Sequence, residues 1–329
     1  MKQLSAFLAV GLLTAVSGTA SASPAVIFDM GGKFDKSFNQ GAYEGAERYK
    51  GETGDSYREF EVTNPAQREQ AIRKMAQRKA DPVVGIGFAQ GPAVESVSAE
   101  YPDTRFTIID MVVDQPNVQS VVFKEHEGSF LVGLLAAMKS ESGKVGFIGG
   151  MDIPLIRKFA CGFEQGAKHA NADVEVIQNM TGSTPSAWND PGRGAELSRG
   201  QFDRGVDVIF AAAGGTGTGV YQAAADGGKF AIGVDSNQNY LHPGVMLTSM
   251  LKRVDNAVYE AMLAGKDGTW EPGIKALGLA EDGVGWALDE HNADLISDEM
   301  KAAAETAKAA IVAGEITVHD YMSDNSCNY

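Results

Sequence analysis

The chain has 329 residues, with 43 Asp and Glu against 28 Lys and Arg, a formal net charge of −15 at pH 7 and two cysteines. So acidic a chain, with its basic residues scattered, repels phosphate backbones, which excludes nucleic acid as a partner. Its length exceeds what one compact core usually holds, so two domains are expected.

The first residues read as a secretory leader. Lys2 gives the positive start, residues 6–16 a short apolar run, and Ala20-Ser21-Ala22 an A-x-A cleavage signal. The run is too short to span a bilayer. Ser23, not Cys, follows the cut, so no lipid anchor is expected. Residues 1–22 are therefore assigned to a signal peptide and the product to the periplasm.

Strand and helix signals alternate from there on. A strand at 25–28 runs through Asp29 into a Gly-rich loop, and a helix covers 38–49, with Ser37 and Gln40 spaced as a capping box. A weak strand follows at 60–62. Asn64-Pro65-Ala66-Gln67 starts a helix. Strands at 82–88 and 105–110 flank a helix at 92–101, and 118–123 is a crossing segment. The pattern then begins again: helix 127–139, strand 144–148, helix 154–169, strand 174–179, helix 190–203, strand 206–212, helix 217–226, strand 230–234. A second crossing strand is expected at 245–250 and a helix at 252–264. A glycine-rich stretch at 265–273 precedes a strand at 284–288 and a helix at 298–313.

Two successive sets of β/α units imply an α/β protein of two doubly wound parallel-sheet lobes. The expected boundaries are 23–124 plus 250–269 for lobe I and 125–249 plus 270–329 for lobe II. A small ligand belongs in the cleft between them. Cys161 falls in a helix and Cys327 in the irregular tail. In an oxidising compartment the pair reads either as one disulfide pinning the tail or as two buried thiols.

Several residues sit where a ligand would reach them. Asp29, Phe38 and Asn39 gather at the carboxyl edge of the first strand, where a polar anchor beside a ring suits a flat, hydroxylated molecule. Asp29 reads equally as an Asx-turn and Phe38 as the first core residue of its helix. Gly214-Gly215-Thr216-Gly217-Thr218-Gly219 joins a strand to a helix without the GK[ST] of a P-loop, and presents backbone N–H groups to an oxygen-rich ligand. Asp235 and Lys252 are opposite charges at element ends, either facing the cleft or paired on the surface. Trp188 is a stacking plate or a packing residue. The five histidines are dispersed, no HExxH or GxSxG occurs, and Asp29 with Asp35 lacks a recognisable general acid, so no catalytic residue, metal or cofactor is assigned.

DKSFNQ with its upstream Asp, GGMDIPLIRKFACGFEQG, AAAGGTGTGVYQAA, IGVDSNQ and LTSMLKRVDNAV occur in the order found in one family. Over nearly all of the mature chain the sequence resembles the basic membrane protein family, substrate-binding proteins of ABC importers similar to the bacterial purine nucleoside receptor. The resemblance implies a type I periplasmic-binding-protein fold with a three-segment hinge. It implies a nucleoside ligand, purine preferred, held by a monomer that delivers it to an ABC permease and its ATPase subunits. By the same resemblance Phe38 and Trp188 stack on the base, with Asn39 beside Phe38. Asp29 and Asp110 line the base end, and Gly214, Gly215, Asp235 and Lys252 hold the ribose. Lys33 has no identified counterpart in the family pattern and bears on the choice of base. A nucleoside-cleaving hydrolase and a receptor for another small solute are the alternative functions.

Overall fold

The computed structural model describes residues 22–328. The expected leader lies outside the described residues except for Ala22. Lobe I begins with β1 (Ala25–Phe28), α1 (Phe38–Thr53), β2 (Arg58–Glu61), α2 (Gln67–Gln77), β3 (Val83–Gly85), α3 (Gly91–Glu100), β4 (Phe106–Ile109) and β5 (Val118–Phe123). Lobe II follows with α4 (Glu125–Lys139), β6 (Lys144–Met151), α5 (Pro154–Ala170), β7 (Glu175–Gly182), α6 (Pro191–Phe202), β8 (Val208–Ala212), α7 (Gly217–Gly227), β9 (Phe230–Asp235) and β10 (Met246–Lys252). The chain returns to lobe I for α8 (Val254–Asp267) and β11 (Gly273–Leu277), then ends in lobe II with β12 (Val284–Trp286) and α9 (Asp298–Val312).

Among the described residues the strands form two six-stranded sheets, in the orders β11-β5-β4-β3-β1-β2 and β12-β10-β9-β8-β6-β7. All pairings are parallel except β10 with β12. Helices cover both faces, which explains why β1 and β8 read as unbroken apolar runs and are fully buried. The chain crosses between lobes after β5, after β10 and between β11 and β12. The crossings bond to one another: Lys124 N–H donates to the Leu277 carbonyl at 2.9 Å and Arg253 N–H to that of Gly283 at 2.8 Å.

Two expectations change here. Residues 250–252, expected in lobe I, are the end of β10, so Lys252 closes a strand rather than opening a helix. Residues 273–277, expected in lobe II, form β11 and pair with β5 of lobe I. GIKAL is almost wholly exposed on an edge and has no apolar alternation, so only its pairing makes it a strand.

Helices α4 and α5 approach more closely than side chains would allow. A Cβ on Gly133 would lie 2.0 Å from the Phe163 carbonyl oxygen, and one on Gly166 1.9 Å from that of Phe130. This close seam sets Glu125, at the start of α4, beside Lys158 of α5. The C-terminal tail then lies along α5. Gln165 accepts from the His319 N–H (2.7 Å) and donates to its carbonyl (3.0 Å), and Cys161 is disulfide-bonded to Cys327.

Closing a loop across 166 residues constrains the unfolded chain strongly. The Cys161→Ser/Cys327→Ser variant is expected to lose about 2–4 kcal/mol in urea unfolding. Protein taken under denaturing, non-reducing alkylation should carry no alkylated thiol by intact mass; two alkylated cysteines would refute the bridge.

Candidate functional site

The carboxyl ends of both sheets face each other across a cavity lined by residues of both lobes, the place where a two-lobed α/β protein holds a small molecule. Of the residues singled out from sequence, Asp29, Phe38, Asn39, Asp110, Trp188, Gly214, Asp235 and Lys252 line it. Gly215 does not; it is buried behind Gly214, facing the Trp188 carbonyl and Asn189.

The loop after β1 is organised by Asp35, not by the expected capping box. Its carboxylate accepts from the N–H groups of Ser37 (2.8 Å), Asn39 (3.0 Å) and Gln40 (3.1 Å), capping α1. Ser37 makes no cap bond. Its hydroxyl instead donates across the cleft to the Asp235 carboxylate and to the Val234 carbonyl. Asn39 Oδ1 accepts from the Asp29 N–H at 3.2 Å, so its amide also holds the loop. Asp29 is not an Asx-turn closing its own loop: its Oδ1 accepts from Arg68 Nη2 and Nε of α2 at 2.9 and 3.1 Å. Lys33 does not line the cavity; it pairs with Glu59 of β2 at 2.8 Å over the Tyr43 ring.

Trp188 comes from the loop after β7. Its ring occupies the space a side chain would need at Gly150, where a Cβ would lie 2.1 Å from Cζ3. Thr216 ties this loop to the Gly-rich loop, donating to the Ala187 carbonyl (2.8 Å) and accepting from the Asp190 N–H (2.7 Å). The lobes touch here: Gln238 Nε2 donates to the Lys36 carbonyl at 2.8 Å and Ser236 Oγ to that of Ser37 at 3.0 Å. With the Ser37–Asp235 bond these contacts join the two lobes beside the cavity.

At the hinge end, Lys252 is the central charge. Its Nζ lies 2.6 Å from Asp110 Oδ2 and 3.0 Å from Glu125 Oε1, and over the Phe38 and Phe123 rings, 5.1 Å from each centroid. The expected direct pair with Asp235 is not made; Asp235 bonds Ser37 and feels Lys252 only through space. Asp110 and Lys252, expected at the base end and at the ribose respectively, are thus direct neighbours in the cavity. Burial pushes the Asp35, Asp110 and Asp235 carboxyls each up to about 6. For Asp110 it outweighs the adjacent ammonium, helped by the like charge of Glu125. Burial also opposes ionisation of Glu125, but Lys252 and Lys158 together hold it below the usual range. Burial works against the Lys252 charge too, yet Asp110, Glu125 and Asp235 overcome it and raise its pKa. Asp110 Oδ1 has no hydrogen-bond partner among the described residues. Sequence reading missed Arg68, Glu125, Lys158 and the cavity-lining Phe159; the three charged residues carry no local signal, because their partners lie in other elements. Asp35, weighed only as a hydrolytic partner, did carry one: an Asp just before a helix is a capping residue.

Residues 22–321 match the family described as ABC transporter substrate-binding protein PnrA-like. The nucleoside-binding protein BmpA of an ABC transporter from Lactococcus lactis is 32% identical over 317 residues, covering 89% of this chain and 88% of that one. The CD4+ T-cell-stimulating antigen of Listeria monocytogenes is 34% identical over 319 residues, covering 89% and 87%. An ABC transporter solute-binding protein from Aeropyrum pernix superposes with a TM-score of 0.83 at 29% identity, covering 90% of this chain and 92% of that one. The two lobes are thus those of the type I periplasmic-binding-protein fold.

Replacing Lys252 by Met would leave Asp110 and Glu125 buried without their shared cation. Urea unfolding of Lys252→Met should show a loss of about 3–5 kcal/mol. Adding Glu125→Gln to that variant should recover part of it. A loss below about 1 kcal/mol would mean the cluster behaves like a surface pair.

Proposed function

The chain belongs to the PnrA-like family of ABC transporter substrate-binding proteins, and from that premise we propose that its ligand is a nucleoside, purine preferred, delivered to a membrane permease and its ATPase. The observation that carries the reading is one aromatic from each lobe, Phe38 and Trp188, on a cavity that also holds buried carboxylates. Two aromatic side chains suit a flat purine through dispersion and desolvation, whichever base is present. Asp29, oriented by Arg68, and Asn39 suit the hydrogen-bonding edge of a base. Asp110, with one oxygen unpartnered, Asp235 and Lys252 suit sugar hydroxyls, which donate to carboxylates and accept from an ammonium. A buried polar group left unmatched by the wrong ligand costs about 1–3 kcal/mol, which makes this set selective. The name of the Lactococcus relative supports the same ligand class.

The protein acts by closure. Ligand bridging the lobes adds to the contacts of Ser37, Ser236 and Gln238, so the closed form presents both lobe surfaces together to the permease. The leader read in the sequence supports export to the periplasm, and one cavity built from both lobes of one chain supports one ligand per chain. Incubation with inosine separates this reading from a nucleoside-cleaving enzyme: the nucleoside should return intact, and release of hypoxanthine would favour hydrolysis.

Calorimetry against nucleosides, sugars and amino acids should give one nucleoside per chain. Phe38→Ala should weaken that binding by about 1–3 kcal/mol, the worth of one base–aromatic stack. Tight binding of a sugar or amino acid with no response to nucleosides would overturn the proposal.

The raised carboxyls give binding a pH dependence of definite sign. A ligand hydroxyl that donates to a carboxylate favours its ionised form, so binding lowers the pKa of Asp110 and Asp235 from about 6 and releases protons. Affinity should rise with pH through about 6 and level off above it, and Asp235→Asn should flatten part of the rise. Calorimetry from pH 5 to 8 in buffers of different ionisation enthalpy checks both the slope and the released protons.

A further inference from the structure

Lys252 is one link in a longer buried row of alternating charge. Asp110 Oδ2 lies 2.6 Å from Lys252 Nζ, and Lys252 Nζ 3.0 Å from Glu125 Oε1. Glu125 Oε2 lies 3.0 Å from Lys158 Nζ, which is 3.5 Å from Asp320 Oδ2. Only Asp110 and Lys252 line the cavity. Glu125 and Lys158 are buried, with side chains 1% and 8% exposed, so water does little to uncouple them. Asp320 belongs to the C-terminal tail, which the Cys161–Cys327 disulfide and the Gln165–His319 bonds hold against α5. Each inner member is shared between two opposite charges. Neutralising one therefore strengthens the next contact and weakens the one after it, and the effect changes sign at every link.

We propose that Lys158 and Asp320 are positioning residues that, through Glu125, set how much of the Lys252 charge is left for Asp110 and the ligand, so that the disulfide-pinned tail tunes a site it does not touch. Without Lys158, Glu125 draws on Lys252 alone and pulls it from Asp110. Without the Asp320 charge, Glu125 is the one carboxylate left beside Lys158, which also keeps its bond to the Phe123 carbonyl, and Lys252 is released toward Asp110. Lys252 of β10, Glu125 of α4 and Asp235 of β9, the charged groups that bear on Asp110, are unchanged in both variants. The effect on affinity rests on the nucleoside reading; the effect on Asp110 does not.

The test titrates the Asp110 carboxyl by carbon-13 NMR in ligand-free protein, its signal identified with Asp110→Asn, and measures inosine binding by calorimetry. Lys158→Met should raise the Asp110 midpoint by on the order of one pH unit and weaken inosine about tenfold. Asp320→Asn, whose carboxylate is a third exposed, should lower the midpoint by a few tenths of a unit and tighten inosine about twofold. Lys158→Arg, which keeps the charge, should restore the wild-type midpoint. Shifts of the same sign in Lys158→Met and Asp320→Asn, or Lys158→Arg behaving as Lys158→Met, would reduce these residues to packing and overturn the inference. Should Lys158→Met fail to fold, Asp320→Asn decides alone: an unmoved or raised midpoint overturns it. A wild-type protein that ignores inosine would defeat the nucleoside reading while the titration still judges the row of charges.

Discussion

A buried ammonium at the meeting point of two lobes constrains most of what surrounds it. Lys252 ends β10 of the second sheet, Asp110 follows β4 of the first, and Glu125 opens the helix after the first crossing. One cation thus ties together a strand end from each lobe and a crossing segment. Ion pairs withdrawn from water add little net stability compared with apolar packing, so their use here is better explained by geometry than by energy. They fix where the strand ends stop and which way their carboxylates point. Phe38, Phe123 and Phe159 enclose the ammonium at 5.1 to 5.6 Å and lower the local dielectric, which strengthens each remaining contact.

That cluster exists because helices α4 and α5 lack side chains at their seam. Gly133, Gly162 and Gly166 admit backbone where any Cβ would collide. The helices could not otherwise bring Glu125 and Lys158 to 3.0 Å, and Lys158 could not donate to the Phe123 carbonyl at 2.7 Å at the start of the first crossing. Small residues far from the cleft therefore decide the electrostatics within it. The tail extends this logic, since the disulfide and the Gln165 bonds place one more carboxylate at the far end of the same row.

The two ends of the cavity differ in chemistry. Near the β1 loop, Asp35 spends its acceptors on the N-terminus of α1, and Asp29 leans on Arg68, so both carboxylates are directed by lobe I itself. Near the hinge, Asp110 of lobe I pairs with Lys252 of lobe II, and between the two ends the Ser37 hydroxyl of the β1 loop reaches the Asp235 carboxylate of the other lobe. A ligand that engages the first end alone would be bound without being enclosed. One that engages both has reason to keep the lobes together.

Much of this was legible in the residues. Strands buried on both faces announce themselves as short apolar runs, and amphipathic helices between them by period, so the alternation, the two lobes and the positions of β1 and β8 follow from sequence alone. Asp29, Phe38, Asp110, Trp188, Gly214, Asp235 and Lys252 were found because they stand at element ends or in ordered motifs, and element ends are where a doubly wound sheet exposes its chemistry. What sequence did not decide were partners. Ser37 and Gln40 have the spacing of a capping box, yet Asp35 took the cap and left Ser37 for the opposite lobe. Edge strand β11 lacks any periodic signal and is defined only by its pairing with β5. Glu125, Lys158 and Arg68 look like ordinary helix charges until the fold buries them against carboxylates and lysines from distant segments. Local pattern reports the burial of a residue's own face, whereas the choice of partner for a charge depends on which strand ends the tertiary structure brings within hydrogen-bonding distance.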